Sequence, residues 1–268
     1  MTVSDDAESR KVQTGALFSS LAPVYDPLGV FAHFGRRLVA TVGIENGQQV
    51  LDVASGRGAV LFPAAERVGE AGNAVGIDLA EGMARATNEE AMSRGLAVQV
   101  RHMDAERLDF PVAAFDRVLC GFGVMFFPAV SQALSEFRRV LKPDGRLGVS
   151  TWRAPLPHEL FRLLRELGLW KGTPGPVRFD DADALTSFLA QAGFQDVQVV
   201  AESVPVVIAT VDQYWEAARS GGARASFDAL NASQLDQVRA ALAERLRPYQ
   251  RPDGLHIEAT ALLATANR

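Results

Sequence analysis

Two acids and a patch of very small residues are the strongest chemical features of this sequence. Asp52 closes an apolar run, and the stretch 54–58 that follows contains alanine, serine and two glycines. Glycine lets the chain turn sharply, and a loop without bulky side chains lets a ligand lie against backbone N–H groups. Asp78 ends the next apolar run, twenty residues after Gly58. An acid there can accept hydrogen bonds from both hydroxyls of a ribose, so the pattern predicts a nucleoside-binding site.

Two classes of cofactor would suit this loop, a dinucleotide and S-adenosylmethionine. A dinucleotide loop reads G-x-G-x-x-G, but Leu61 occupies the third glycine position here. A pyrophosphate is also disfavoured beside the carboxylate of Asp52, whereas the cationic sulfonium and amino groups of S-adenosylmethionine suit an acid there. A plain strand-to-helix turn is the alternative reading of this stretch taken alone, since many tight turns contain G-x-G.

The elements that would position these residues alternate along the chain. Apolar, β-branched runs predict strands, and helical patterns lie between the first five of them. The strand segments are 48–54, 73–79, 98–104, a part of 115–127, 146–152, 196–202 and 255–266. This order predicts an α/β fold with a doubly wound, mostly parallel, Rossmann-like sheet of seven strands and helices on both faces.

The segments outside the alternating region predict further parts of one domain. Residues 1–14 are polar and acidic and are expected to be a disordered tail, while 15–45 read as an N-terminal helical flap broken near two prolines. Residues 46–152 form the expected cofactor-binding core. Residues 153–268 are expected to supply cap helices and the last strands, with the cap over the carboxyl ends of the strands, where open α/β sheets bind ligands.

Composition limits the classes of partner. The chain has 268 residues, a net charge of −5 and one cysteine. Its scattered basic residues argue against a nucleic-acid partner, and the sequence has no apolar run long enough for a membrane span. One cysteine fits a cytoplasmic location, and no residue spacing indicates a metal site. We therefore expect a small-molecule substrate, and a homo-oligomer is compatible with the sequence.

Several motifs occur in an order that resembles a known family. They are "VLDVASGRG", "GIDLAEGM", "MDAERLDF", "FDRVLCGFGVMFF" and "LKPDGRLGVSTW", between about residues 48 and 152. Together they resemble the class I S-adenosylmethionine-dependent methyltransferases. The earlier stretch "LFSSLAPVYD" is similar to the start of ubiquinone and menaquinone biosynthesis methyltransferases and their small-molecule relatives. One departure is Ala54, where the family loop commonly has glycine.

The resemblance implies a set of cofactor-binding positions. Asp78 should hold the ribose, Asp104 and Ala105 should read the adenine, and Arg37 should pair with the cofactor's carboxylate. The full set implied for S-adenosylmethionine is Tyr25, Arg37, Asp52, Ala54, Ser55, Gly56, Gly58, Asp78, Leu79, Met83, Asp104, Ala105, Glu106, Cys120 and Gly121.

The catalytic and substrate residues are less clearly marked. Methyl transfer needs alignment, and a base only when the nucleophile carries a proton. His33, on the N-terminal helix expected to border the pocket, is the candidate base, and its alternative role is that of a half-exposed helix residue. Aromatic residues would suit a flat or hydrophobic substrate; the candidates are Phe18, Phe122, Phe126, Trp152, Trp170 and Trp215.

The function predicted is transfer of the methyl group of S-adenosylmethionine to an O, N or activated C atom of a small, hydrophobic or aromatic metabolite. Three alternatives stay open at this point. They are a cyclase that retains the cofactor without transferring its methyl group, an NAD-linked reductase on a similar sheet, and a binding module with a vestigial pocket.

Overall fold

The apolar runs form one central sheet. The computed structural model describes residues 3–153, 158–170 and 179–268, and eight strands lie in these ranges. They are β1 (Gln49–Val53), β2 (Asn73–Asp78), β3 (Gln99–His102), β4 (Phe115–Gly121), β5 (Leu141–Arg153), β6 (Gln195–Ile208), β7 (Gln250–Arg251) and β8 (Gly254–Asn267).

The strand order confirms the predicted doubly wound sheet. It runs β3-β2-β1-β4-β5-β8-β6, and the two-residue β7 pairs only with β8. The first five strands are parallel, and β8 runs antiparallel to both β5 and β6. The order reverses between β1 and β4, which makes the crevice at their carboxyl ends the expected ligand site of such a sheet.

Helices cover both faces of the sheet, as the alternating pattern predicts. One apolar cluster joins the sheet to α5 and α7, and another joins it to α2, α3 and α4. The helices in the described ranges are α1 (Val3–Leu21), α2 (Val30–Val42), α3 (Leu61–Val68), α4 (Glu81–Arg94), α5 (Val130–Val140), α6 (His158–Glu166), α7 (Ala182–Gln191), α8 (Val211–Arg219), α9 (Arg224–Asp228) and α10 (Ala232–Leu246).

The N-terminus differs from the sequence-based expectation. Residues 3–14 were expected to be disordered, but they form the first part of α1. Tertiary contacts stabilise this polar helix, because Lys11 pairs with two acids of the core, Asp104 and Glu106, and the N–H of Gly82 donates to Ser19 Oγ at 3.1 Å. The prediction was wrong because these partners lie far away in the sequence.

The cap has an apolar core of its own. Leu163 and Leu164 of α6 pack with Trp215 of α8, Phe227 of α9 and Val238 of α10. The predicted cap segments 153–180 and 211–252 therefore meet each other where they are described, while residues 154–157 and 171–178 lie outside the described residues.

Asp26 lies four residues before α2 and has an unusual backbone conformation. Its φ is +55°, and its two carboxylate oxygens accept hydrogen bonds from the N–H groups of Val30 at 2.9 Å and Phe31 at 3.1 Å. Burial raises the pKa of Asp26 to about 6, although these backbone N–H groups favour the charged form. Below that pH the folded protein therefore holds a proton that the unfolded chain, with a carboxyl pKa near 3.8, has already lost.

This proton predicts a pH-dependent effect of Asp26→Asn. Between about pH 4 and pH 6 the folded state binds the extra proton, so wild-type stability falls as the pH rises through this window. Asparagine keeps one capping oxygen, tolerates a positive φ and cannot ionise. Across the window, we expect the free energy of unfolding of the variant to rise relative to wild type by roughly 1–2 kcal/mol, after allowance for partial exposure.

Urea unfolding of both proteins at pH 4.5 and pH 7.5 measures this change. The exposed Asp109 supplies the matched control, Asp109→Asn, which should give the same difference from wild type at both pH values. If the difference between Asp26→Asn and wild type is also constant with pH, Asp26 does not carry the proton.

Candidate functional site

A cleft opens at the carboxyl ends of β1, β2 and β4. Parallel pairing aligns these strand ends, since Val53 is in register with Ile77 and Asp78 with His102. The residues that line the cleft come from α1, from the loops after the strands and from α4. They are Lys11, Thr14, Phe18, Tyr25, Ala54, Gly56, Ile77, Asp78, Leu79, Met83, Met103, Asp104, Ala105, Glu106, Gly121, Phe122, Gly123, Phe126, Phe127 and Pro128.

The loop after β1 turns through three left-handed residues. Ala54, Gly56 and Gly58 have φ values of +55°, +51° and +80°. A Cβ atom at Gly58 would lie 2.6 Å from the Phe62 ring, which explains the need for glycine there. Ala54 adopts a conformation that costs a non-glycine residue about 1 kcal/mol or more, so strain is stored at the floor of the cleft.

Asp78 links this loop to the start of α4. Its Oδ2 atom accepts from the N–H of Gly56 and its Oδ1 atom from the N–H of Ala80, both at 2.8 Å. Burial raises the pKa of Asp78, although these two N–H groups act in the opposite direction. The carboxylate is thus held in one orientation while it still lines the cleft.

Two polar side chains lie unsatisfied beneath the loop. Asp52 is 1% exposed, and neither of its carboxylate oxygens has a hydrogen-bond partner in the described part of the chain, nor has Ser55 Oγ. Burial, together with the charge of Asp78, raises the pKa of Asp52 well above its ordinary value. A buried acceptor without a donor is costly, so these oxygens could take hydrogen bonds from a bound molecule or from water.

The acidic end of the cleft contains a lysine that the sequence did not reveal. Lys11 Nζ lies 2.7 Å from Asp104 Oδ2 and 2.5 Å from Glu106 Oε2. The pairing of Lys11 with Asp104 spans 93 residues of sequence. Lys11 lies in the segment predicted to be disordered, and no spacing or periodicity in the sequence marks it as a site residue.

Aromatic rings from α1, from the segment after it and from the loop after β4 form the aromatic end of the cleft. The rings of Phe18 and Phe126 meet edge to face at 5.0 Å, and Tyr25 stacks on Phe31 at 5.3 Å. The cap reaches the cleft here, because a Cβ atom at Gly222 would lie 2.8 Å from the Phe126 ring. Phe126 is 37% exposed, so this ring stands at the mouth of the cleft.

Most residues implied for the cofactor meet at this cleft or directly beneath it. Asp52, Ser55 and Cys120 are buried under its floor, and Gly58 belongs to the loop without lining the cleft. The predicted residues that line it are Tyr25, Ala54, Gly56, Asp78, Leu79, Met83, Asp104, Ala105, Glu106 and Gly121 for the cofactor, and Phe18, Phe122 and Phe126 for the substrate.

His33 and Arg37 are two corrections, because neither lines the cleft. Both face Glu202 of β6, whose Oε1 atom lies 2.6 Å from Arg37 Nε and 3.5 Å from His33 Nε2. Residues four apart share one face of a helix, and this face of α2 is turned toward the edge of the sheet. His33 is therefore not positioned as the base, and Arg37 is not positioned to pair with a cofactor carboxylate.

Three tryptophans predicted for the substrate site lie elsewhere. Trp152 packs behind the lining, with its ring 4.4 Å from that of Phe122. Trp215 is buried in the cap against Phe227. Trp170 follows α6, and the guanidinium of Arg165 in α6 lies over its ring. The cap needs large side chains for its own core, which explains why Trp170 and Trp215 do not reach the cleft.

Comparison with known proteins identifies the family. Residues 50–145 match a family described as a methyltransferase domain. Nocamycin O-methyltransferase of Saccharothrix syringae is 46% identical over 53% of this chain and 50% of its own length. Aklanonic acid methyltransferase of a Streptomyces species is 41% identical over 53% of this chain and 66% of its own. Demethylmenaquinone methyltransferase of Thermus thermophilus is 34% identical over 66% of this chain and 91% of its own. The chain belongs to the class I S-adenosylmethionine-dependent methyltransferases.

Solved structures agree with this methyltransferase fold. The YcgJ protein of Bacillus subtilis is 20% identical, covers 88% of this chain and 98% of its own, and has a TM-score of 0.63. The [4+2]-cyclase SpnF is 23% identical, covers 86% of this chain and 78% of its own, and has a TM-score of 0.54. Both likenesses concern the fold alone. The chain spans about half of the length of nocamycin O-methyltransferase.

The cleft fits the cofactor of this methyltransferase family. The bare loop leaves backbone at its floor, and the carboxylate of Asp78 lines the cleft at the end of β2. Family membership thus confirms S-adenosylmethionine as the cofactor predicted from the loop. In the described part of the chain, no group of three or more His, Cys, Asp or Glu side chains could hold a metal ion. None of the described helices is both long and apolar enough to span a bilayer.

Proposed function

We propose that this methyltransferase transfers the methyl group of S-adenosylmethionine to an O, N or activated C atom of a small, hydrophobic or aromatic metabolite. The observation that carries the proposal is that acids and aromatic rings line the same cleft. The acidic end contains Asp78 and Asp104, and the aromatic end contains Phe18, Phe122 and Phe126.

The acidic end would hold the adenosine part of the cofactor. Asp78 would accept from the ribose hydroxyls, Asp104 would accept from the adenine amine, and Leu79 and Met83 would pack on the rings. The methionine part would then lie over the loop at Gly56 and toward the aromatic end. Both α1 and the core contribute residues to the lining of this cleft.

The aromatic end would orient the acceptor. Bound S-adenosylmethionine supplies an electrophilic methyl group, whose bond to sulfur breaks as its bond to the acceptor forms. Tyr25 is the aromatic-end residue with an ionisable hydroxyl, and burial, together with the charges of Asp26 and Asp78, raises its pKa. Its hydroxyl therefore stays neutral and can donate a hydrogen bond. An acceptor that ionises near neutral pH, such as a carboxylic acid, an enol or an acidic phenol, needs no protein base there.

The relatives support a small-molecule acceptor through their names, which refer to nocamycin, aklanonic acid and demethylmenaquinone. The aromatic wall at the cleft mouth has the character of a site for a flat molecule. We further propose a cytoplasmic location. We also propose that the protein forms a homo-oligomer. Sedimentation equilibrium of the purified protein tests this.

Calorimetric titration with S-adenosylmethionine, S-adenosylhomocysteine and NADH tests the cofactor part of the proposal. We expect micromolar binding of both adenosyl compounds and none of NADH. Binding of NADH alone would favour the reductase alternative. If neither adenosyl compound binds, whether or not a panel of acceptors is present, the result would favour the alternative of a vestigial pocket and contradict the proposal.

Mass spectrometry of acceptor reactions tests the transfer itself. Methyl transfer gives a product heavier by one methylene unit and one S-adenosylhomocysteine for each product molecule. A product with the mass of its substrate, formed without loss of S-adenosylmethionine, would show that the cofactor is retained, as the cyclase alternative requires.

A further inference from the structure

We propose that Lys11 is a positioning residue of the cofactor site, which holds Asp104 in place for the adenine amine and couples the docking of α1 to cofactor binding. This inference rests on the function proposed above, because it assigns the acidic end of the cleft to the adenosine part of S-adenosylmethionine. It adds a residue outside the motifs that mark the family.

The ammonium of Lys11 is buried between two carboxylates. Lys11 is 7% exposed and Glu106 is 5% exposed, and the ammonium meets Glu106 Oε2 at 2.5 Å and Asp104 Oδ2 at 2.7 Å. Burial opposes the charge of the ammonium, but hydrogen bonds and attraction to both acids outweigh burial and raise the pKa of Lys11. Removing one partner of such a buried group is costly, because the remaining charges lose their compensation.

The contacts continue from the lysine into the core. Asp104 Oδ1 accepts from the N–H of Glu106 at 2.9 Å, and Glu106 Oε1 accepts from the N–H of Ala129 at 2.6 Å. Ala129 directly precedes α5. A single network therefore joins α1, the loop after β3 and the start of α5. Within this network both oxygens of Asp104 have partners, so the plane of its carboxylate is fixed.

The charge of Lys11 also matters for the two acids themselves. Asp104 and Glu106 lie two residues apart, and two carboxylates at this separation repel each other in a site of low dielectric constant. Without Lys11 we expect the Asp104 carboxylate to turn away from Glu106, which would remove the acceptor that Asp104 offers to an exocyclic amine.

The same face of α1 covers the cleft. Lys11, Thr14 and Phe18 all line it, and their spacing of three and four residues puts them on one side of the helix. When α1 undocks, the cleft loses one wall, and Asp104 loses the Lys11 ammonium at the same time. Cofactor affinity and α1 docking must then be linked reciprocally.

The experiment compares two ligands that differ at the purine edge that Asp104 would read, in the group on C6 and in the hydrogen on N1. S-adenosylhomocysteine carries an amine on the purine, and S-inosylhomocysteine carries a carbonyl oxygen there. For Lys11→Met we expect binding of S-adenosylhomocysteine to weaken about tenfold, which corresponds to one charge-assisted hydrogen bond. Binding of S-inosylhomocysteine should weaken less, through the loss of α1 docking alone, so the ratio of the two affinities should narrow.

Two further variants separate positioning from a structural effect. Arg10→Met changes the exposed neighbour on the same helix and should leave both affinities near those of wild type. Lys11→Arg keeps the cation and should restore most of the preference for the amine. Should Lys11→Met fail to fold, Lys11→Gln, which is neutral but polar, replaces it in the comparison.

The outcomes distinguish this inference from the proposed function. If the wild-type protein binds neither adenosyl compound, the proposed function fails. If wild type binds and Lys11→Met weakens both ligands equally, Lys11 only docks the helix, and the positioning role is overturned. Unchanged affinities in Lys11→Met would overturn both the positioning and the coupling.

Discussion

Replacing Asp78 by alanine is expected to weaken binding of S-adenosylhomocysteine about a hundredfold or more. The side chain stands at the end of β2, lines the cleft and is held by the N–H groups of Gly56 and Ala80. In the proposed complex it accepts from two ribose hydroxyls, and each hydrogen bond to a charged group is worth about 1.5–3 kcal/mol. Alanine also leaves the loop and the start of α4 without their shared acceptor, which disturbs the floor of the cleft.

Calorimetry with S-adenosylhomocysteine measures the effect, and thermal unfolding shows whether the fold persists. Asp116→Ala is the matched control, because Asp116 accepts from the N–H of Gln49 at 2.8 Å and from Lys142 at the opposite end of the sheet. This control should lose stability without losing affinity. Near-normal affinity in folded Asp78→Ala would overturn the assignment of the ribose site.

Replacing Gly35 by alanine is expected to cause the largest loss of stability. A Cβ atom at this position of α2 would lie 2.0 Å from the carbonyl oxygen of Ala59 and 2.5 Å from its carbonyl carbon. These are backbone atoms of the segment that leads from the cofactor loop into α3, so no side-chain rotation can relieve the clash. The helix must move away, and it takes Leu38 and Val42 out of the core with it.

We expect Gly35→Ala to lower the free energy of unfolding by about 3 kcal/mol or more, although alanine by itself favours the helix by about 1 kcal/mol. For a chain of this size this corresponds to a fall in Tm of roughly 10 °C. Gly221→Ala is the matched control, since a Cβ atom there would have no neighbour within 4 Å. A fall in Tm for Gly35→Ala no larger than that of the control would show that α2 can shift without cost.

The sheet and the cleft floor could be predicted because their signals are local. The run that ends in Asp52 is apolar and β-branched, and the run that ends in Asp78 has the same form. Parallel pairing then puts the ends of such strands at one edge, which explains why Asp78 and Asp104 line the same cleft. The backbone of 54–58 also acts locally, since its small residues permit the left-handed turns seen in the structure.

The errors have a common physical cause, which is that the deciding partner lies far away in sequence. The segment before Gly15 has the composition of a disordered tail, but Lys11 finds two acids 93 and more residues away. Likewise α2 was correctly predicted to be a helix, but the contact of its Arg37 with Glu202 joins residues 165 apart in the sequence. The tryptophans of the cap were assigned to the substrate because a sequence does not show that the cap builds a separate core.

The single thiol at the centre of the sheet can report how often the folded protein opens. Cys120 lies on β4 between β1 and β5, is 0% exposed, and burial raises the pKa of its thiol. Alkylating reagents attack an accessible thiolate, so modification has to wait until the middle of the sheet opens. The rate of labelling therefore measures how often the sheet opens. A ligand that binds only the closed protein lowers this rate, and the decrease grows with the fraction of protein that is liganded.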